Sequence, residues 1–138
     1  MYYPASFEKN EKGLYTVICR DIPEAATCGD NYDDALFMAQ DVLLVALDFY
    51  FDKKRIVPTP SVAQEGDVLI ELPASAWAKV LLLNELISQN VSQSELARRL
   101  QVQKQQVTRL VNLHHATKID FIASALAKLD KTLVLSVQ

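Results

Sequence analysis

The stretch from Ser92 to Arg109 carries the densest set of side chains suited to recognition chemistry. Gln103, Lys104, Gln105, Gln106 and Arg109 put three amides, an ammonium and a guanidinium close together in the chain. Groups of this kind read base edges: glutamine can bond adenine twice, and arginine or lysine can bond guanine, each good pair discriminating by ~1–3 kcal/mol. Ser92 and Gln93, at what reads as a helix start, suit a phosphate held by backbone N–H groups and a side-chain amide. All seven are therefore candidate DNA-binding residues.

Other groupings resemble chemistry but read differently. Asp21, Glu24, Asp30, Asp33 and Asp34 supply carboxylates enough for a two-metal nuclease. They fall in a loop and a helix start, however, with no carboxylate in the middle of the first strand to anchor a metal, so they read as a non-catalytic acidic surface. His114 and His115 are adjacent, and neighbouring helix positions do not face each other; the pair reads as an inter-helix turn. Cys19 and Cys28 lack C-x-x-C spacing and are expected to be free thiols. No Ser-His-Asp or Cys-His set and no phosphate-binding glycine loop stands out. The expectation is a non-enzyme with no catalytic residue, no metal and no cofactor.

The elements that must position the 92–109 set are legible. Ser92 stands three residues ahead of Glu95, a capping box, and Leu96, Ala97 and Leu100 form an inner face. After Gln101-Val102-Gln103, a second short helix begins at Lys104, with Val107, Leu110 and Val111 pointing inward. Two short helices and a three-residue turn make a helix-turn-helix, whose second helix enters the major groove. Helices are expected at about 74–89, 92–100, 104–113 and 118–129, followed by a strand-like run from Thr132 to Val137. In the first of these, Trp77, Val80, Leu81, Leu83 and Ile87 exceed one narrow stripe. Burial on more than one side follows, with a second subunit as one candidate cover.

Upstream of Pro73 the periods differ. Tyr3, Ala5 and Phe7 alternate with polar residues, Asn10 to Gly13 supply a turn, and Tyr15, Val17 and Cys19 resume the alternation, which predicts a β-hairpin. A third strand is expected around Ala26–Cys28 before Gly29, and a closing strand from Asp67 to Leu72. Between them a helix should run from Tyr32 to Phe51, N-capped by Asp30 or Asn31, with Asp33 and Asp34 at its positive pole. Its sheet-facing residues are expected to be Leu36, Ala39, Val42, Leu43, Ala46, Phe49 and Tyr50. Lys53-Lys54-Arg55 then sits at the negative pole, a stabilising role. The chain thus reads as α+β: three or four strands with one long helix in residues 1–72, and an all-α domain in residues 73–138.

Charge follows the same division. Residues 1–72 hold 6 Lys and Arg against 13 Asp and Glu, net −7, and residues 73–138 hold 8 against 4, net +4. A basic half suits a polyanion and an acidic half suits a basic protein. No signal-peptide pattern and no 18-residue apolar run is present, so a cytoplasmic protein without a membrane partner is expected.

Several runs resemble one family, the HicB antitoxins of HicA–HicB toxin–antitoxin systems. They are Val80–Asn84, the helix at 92–100 and above all Thr108–Asp120, with Gly13–Val17, Asp21–Ala25, Asp48–Phe51 and Pro58–Ser61 in the first half. The C-terminal half is also similar to Cro and phage-repressor domains, although Gln101 stands where that group commonly has a turn glycine. The resemblance implies a degenerate RNase H-like N-terminal domain without its catalytic acids. That domain would bind HicA, a small basic ribonuclease that cleaves messenger RNA, and mask its active site; the toxin-facing residues are not readable from sequence. It further implies a homodimer or higher oligomer that represses its own operon on operator double-stranded DNA, with two recognition helices about one helical turn apart. The alternatives are a stand-alone repressor whose first domain senses a small ligand and an active metal-dependent nuclease.

Overall fold

In the computed structural model, which describes residues 1–138, the first hairpin forms as its alternation predicts. Strand β1 (Tyr2–Lys9) pairs antiparallel with β2 (Tyr15–Cys19) in the register Phe7 to Val17. The Asn10 side chain closes the turn by accepting from the backbone N–H groups of Lys12 and Leu14 at 2.9 and 3.0 Å. Gly13 takes φ +84° there, a conformation that costs glycine nothing. Strand β3 (Ala26–Gly29) adds to β2, and after helix α1 (Tyr32–Lys53) strand β4 (Val68–Glu71) adds to β1. The result is a four-stranded antiparallel sheet in the order β3-β2-β1-β4.

Helix α1 starts at Asn31, one of the two expected caps: its side-chain oxygen accepts from the Asp34 N–H at 2.9 Å. The Asp34 carboxylate in turn accepts from the Asp30 N–H at 2.9 Å. One face of the sheet buries Tyr3, Ala5, Val17, Cys19 and Ile70, and α1 buries Ala35, Ala39, Leu43, Ala46, Leu47 and Tyr50. Ala39 and Leu43 line the same small gap as Ala5, Val17 and Ile70. The expected stripe therefore needs correction. Leu36 and Val42 lie at its margin, and Phe49 faces solvent, because the arc that meets the sheet centres on the alanines and each neighbouring residue sits roughly 100° round the helix. Gly29 is buried so tightly that a Cβ there would lie 2.4 Å from the Ala35 nitrogen.

The remaining helices are α2 (Ala74–Ser88), α3 (Gln93–Leu100), α4 (Lys104–Leu110) and α5 (Ile119–Ala127). Their shared core joins Ala78, Leu82 and Leu86 of α2 to Leu96, Ala97, Val107, Leu110, Ile122, Ala125, Leu126 and Leu129. Of the surplus apolar residues of α2, Val80 and Leu83 are buried, while Trp77, Leu81 and Ile87 are half-buried. Three of these helices end alike. Asn90, Gln101 and Asp130 adopt left-handed φ of 55°, 57° and 59°. The following N–H groups, of Val91, Val102 and Lys131, reach back to the carbonyls of Leu86, Ala97 and Leu126 at 2.9–3.0 Å. These are Schellman closures built without glycine. The expected C-terminal strand does not form: residues 132–138 are irregular, and Leu133 alone of its apolar residues packs on the core. A lone extended segment with no neighbouring strand has nothing to satisfy its backbone except water.

By contacts the chain divides into two units, Met1–Tyr50 with Val57–Pro73 and Phe51–Ile56 with Ala74–Gln138. Lys53, Lys54 and Arg55 belong to the second. The first unit then carries three Lys and Arg against twelve Asp and Glu, net −9, and the second eleven against five, net +6. No helix is long and apolar enough to cross a membrane.

Candidate nucleic-acid interface

Helix α3 begins where its sequence says it should. Ser92 has extended backbone angles, φ −77° and ψ 163°, and its hydroxyl oxygen accepts from the Glu95 N–H at 3.1 Å. The reciprocal half of the capping box is replaced. Glu95 accepts from the Arg98 and Arg99 Nε atoms at 2.9 and 3.0 Å, because two guanidiniums offer charge-assisted bonds that one backbone amide cannot match. These cations hold the Glu95 carboxyl down from its ordinary 4.5 to about 2. At the other end, Gln101 closes the helix at φ 57° and ψ 45°, so a side-chain-bearing residue occupies the turn position where glycine is easiest.

Beyond that turn Gln103 caps α4 with extended backbone and no side-chain cap bond. Gln103, Lys104, Gln105, Gln106 and Arg109 are all exposed, while Val107 and Leu110 on the opposite side are fully buried. Five of the seven candidate residues are thus open to solvent at and along α4. Ser92 is exposed at the start of α3, with its oxygen engaged in the cap. Gln93 is half-buried, and its side-chain oxygen accepts from the Thr108 hydroxyl at 3.4 Å. That bond links the start of α3 to the middle of α4. Past Arg109 the surface becomes concave, and Gln106, Arg109, His115, Thr117 and Lys118 line a depression of about 330 Å³. Thr117 and Lys118 were not among the sequence candidates; their place beside the others depends on the path of the 111–118 segment.

Helix α4 ends at Leu110, short of the expected 113, and Lys79 shows why. This lysine of α2 is 1% exposed, and its Nζ donates to the carbonyls of Arg109, Asn112 and His115 at 3.1, 2.6 and 2.6 Å. One ammonium gathers the end of α4 and the turn after it, where backbone carbonyls would otherwise be left over. Burial pushes its pKa down from 10.5. Lys79 is not among the residues singled out by sequence motif or spacing. The available signal was a lone cation inside the otherwise apolar run 76–83 of α2.

The groupings set aside earlier have structural partners. Asp21 accepts from the backbone N–H and hydroxyl of Ser61 at 2.9 and 3.0 Å, and Glu24 from the Tyr50 hydroxyl at 2.8 Å. No three His, Cys, Asp or Glu side chains gather as a metal-binding group. His114 and His115 lie in the turn, where the Asn112 side chain accepts from the His114 N–H at 2.9 Å. Both thiols are free, Cys19 buried and Cys28 exposed.

Comparison with known proteins identifies the family. Residues 2–81 match the family model described as a HicB-like antitoxin of bacterial toxin–antitoxin systems. Among named relatives, Antitoxin HicB 2 of Photorhabdus laumondii is 50% identical over 135 residues, covering 98% of this chain and 95% of its own. Antitoxin HicB of Escherichia coli K12 is 46% identical over 135 residues, 98% of each chain. Antitoxin HicB of Pseudomonas fluorescens is 43% identical over 129 residues, 93% of this chain and 88% of its own. The family model stops before Ser92, whereas these relatives run through the exposed face of α4. With more than half of its length matched by the model and nearly all of it by the relatives, the chain belongs to the HicB antitoxin family.

Proposed function

We propose that this chain is a two-part antitoxin: its acidic first unit masks a HicA-type messenger-RNA-cleaving toxin, and its basic second unit represses its own operon by binding operator DNA. In this reading α3 and α4 are a helix-turn-helix of the Cro and phage-repressor kind. The sheet with α1 is a degenerate RNase H-like domain that performs no catalysis. The assembly acts in the cytoplasm as a dimer or higher oligomer, so that two copies of α4 reach successive turns of an inverted repeat.

The observation that carries this reading is the exposed row Gln103, Lys104, Gln105, Gln106 and Arg109, held outward by fully buried Val107 and Leu110 within the +6 unit. Amides and cations in that arrangement match base edges and phosphates together. Gln93 and Ser92 are assigned to the phosphate backbone. The −9 charge of the first unit supports the toxin half, because it speeds encounter with a basic protein and repels nucleic acid.

The test is binding of the purified full chain to DNA from upstream of its own gene, with Arg109→Ala and Gln105→Ala beside the wild type. Each substitution should weaken binding by about 1–3 kcal/mol and leave neutralisation of the co-expressed toxin intact. Equal loss of both activities would refute the division of labour. Wild-type binding that does not distinguish its own upstream DNA from unrelated DNA would refute the operator assignment.

A further inference from the structure

The first unit exposes an aligned apolar ridge that nothing in the chain covers. Along α1, Phe37, Asp41, Val45 and Phe49 follow at four-residue steps, one i±4 row of the helix surface. Phe37 is 66% exposed, Val45 47% and Phe49 55%. Single exposed apolar residues need no explanation. Two phenylalanines and a valine in one row, with exposed Asp41 between Phe37 and Val45, exposed Asp33 at the end of the row and half-buried Asp48 beside Phe49, combine aromatic anchors with interspersed carboxylates.

Charge decides the occupant. A second copy of the same face would bring the −9 unit against itself with Asp41 at the centre of both ridges, and nucleic acid or an anionic lipid surface would meet the same repulsion. A partner with a shallow apolar groove that carries lysine or arginine would satisfy both the apolar side chains and the carboxylates between them. We propose that the Phe37–Val45–Phe49 ridge of α1, with Asp33, Asp41 and Asp48, is the docking surface for a basic protein partner. The assignment rests on the toxin-masking reading above and locates it: the partner is the toxin, seated on the outer side of α1 rather than on the open face of the sheet.

The test uses the full chain and a catalytically inactive form of the HicA-type toxin encoded beside it, with affinity and rates followed by biolayer interferometry. The double substitution Phe37→Ser, Phe49→Ser should weaken binding about a hundredfold, mainly through faster dissociation. Asp41→Lys should slow association several-fold at low salt, an effect that fades as salt rises. Ile18→Thr with Leu69→Thr, on the open face of the sheet beside Tyr2, should change affinity by less than about twofold. Operator binding of every variant should stay at the wild-type value, and every variant should remain folded at the assay temperature, since the substituted apolar side chains are 45–66% exposed. If the wild type binds and the double phenylalanine variant binds within about threefold of it, or the sheet pair removes binding instead, this surface is wrong while the toxin reading stands. If the wild-type chain binds no such toxin, the toxin reading itself falls, and this partner with it.

Discussion

Replacing Lys79 by methionine, which keeps the unbranched apolar stem as far as Cε and removes the charged end, isolates what one buried ammonium contributes to the face of α4. It donates to three carbonyls at 3.1, 2.6 and 2.6 Å. Bonds from a charged donor stabilise by about 1.5–3 kcal/mol each, so the gross loss is roughly 5–9 kcal/mol. Two effects reduce it. The variant escapes the cost of burying the charge, several kcal/mol. The three carbonyls also keep second donors, namely the Asn112 N–H at 3.2 Å, the His115 N–H at 3.2 Å and the Thr117 hydroxyl at 3.5 Å. A net destabilisation of about 2–4 kcal/mol remains. For a unit of roughly seventy residues this lowers the unfolding midpoint by about 10–25 °C. Calorimetry reads that shift, and hydrogen exchange at residues 109–115 shows where protection is lost. At a temperature where the variant is still folded, its operator binding should fall while toxin binding does not. A midpoint shift below about 4 °C with unchanged exchange would mean that the desolvation cost cancels the bonds and that Lys79 does not organise the end of α4.

Three other expectations test separate parts of the structure. Gly29→Ala places a methyl 2.4 Å from the Ala35 nitrogen and should cost about 1–3 kcal/mol in denaturant unfolding; a loss below about 0.5 kcal/mol would show that α1 shifts freely. Gln101→Gly relieves a left-handed residue and should stabilise the second unit by up to about 1 kcal/mol after the added freedom of the unfolded glycine is subtracted; destabilisation would show that the glutamine side chain contributes more than its backbone costs. Glu95 has a folded pKa of about 2 against an ordinary 4.5, so its stabilising contribution is complete above about pH 4.5 and disappears as pH falls towards 2. Acid unfolding of Glu95→Gln should lack that component, and an identical acid limb in the wild type would remove Glu95 from the account.

Short-range patterns in the chain were sufficient for the elements and for one surface. Alternation specified the hairpin, Ser92 specified one helix start and Asp30 or Asn31 another, and the period of α4 set Val107 and Leu110 inward while Lys104, Gln105, Gln106 and Arg109 stay exposed. These outcomes depend on neighbours within a few residues, where backbone geometry leaves few choices. Tertiary contact decided the rest. Periodicity says which residues share a face of α1, but only the sheet determines which arc is covered, and that arc leaves Phe49 outside. Lys79 finds its carbonyls 30 or more positions along the chain, and the row from Thr132 to Val137 has no strand to join. In each case a local preference of a kcal/mol or so is outweighed by burial or by charge brought in from elsewhere.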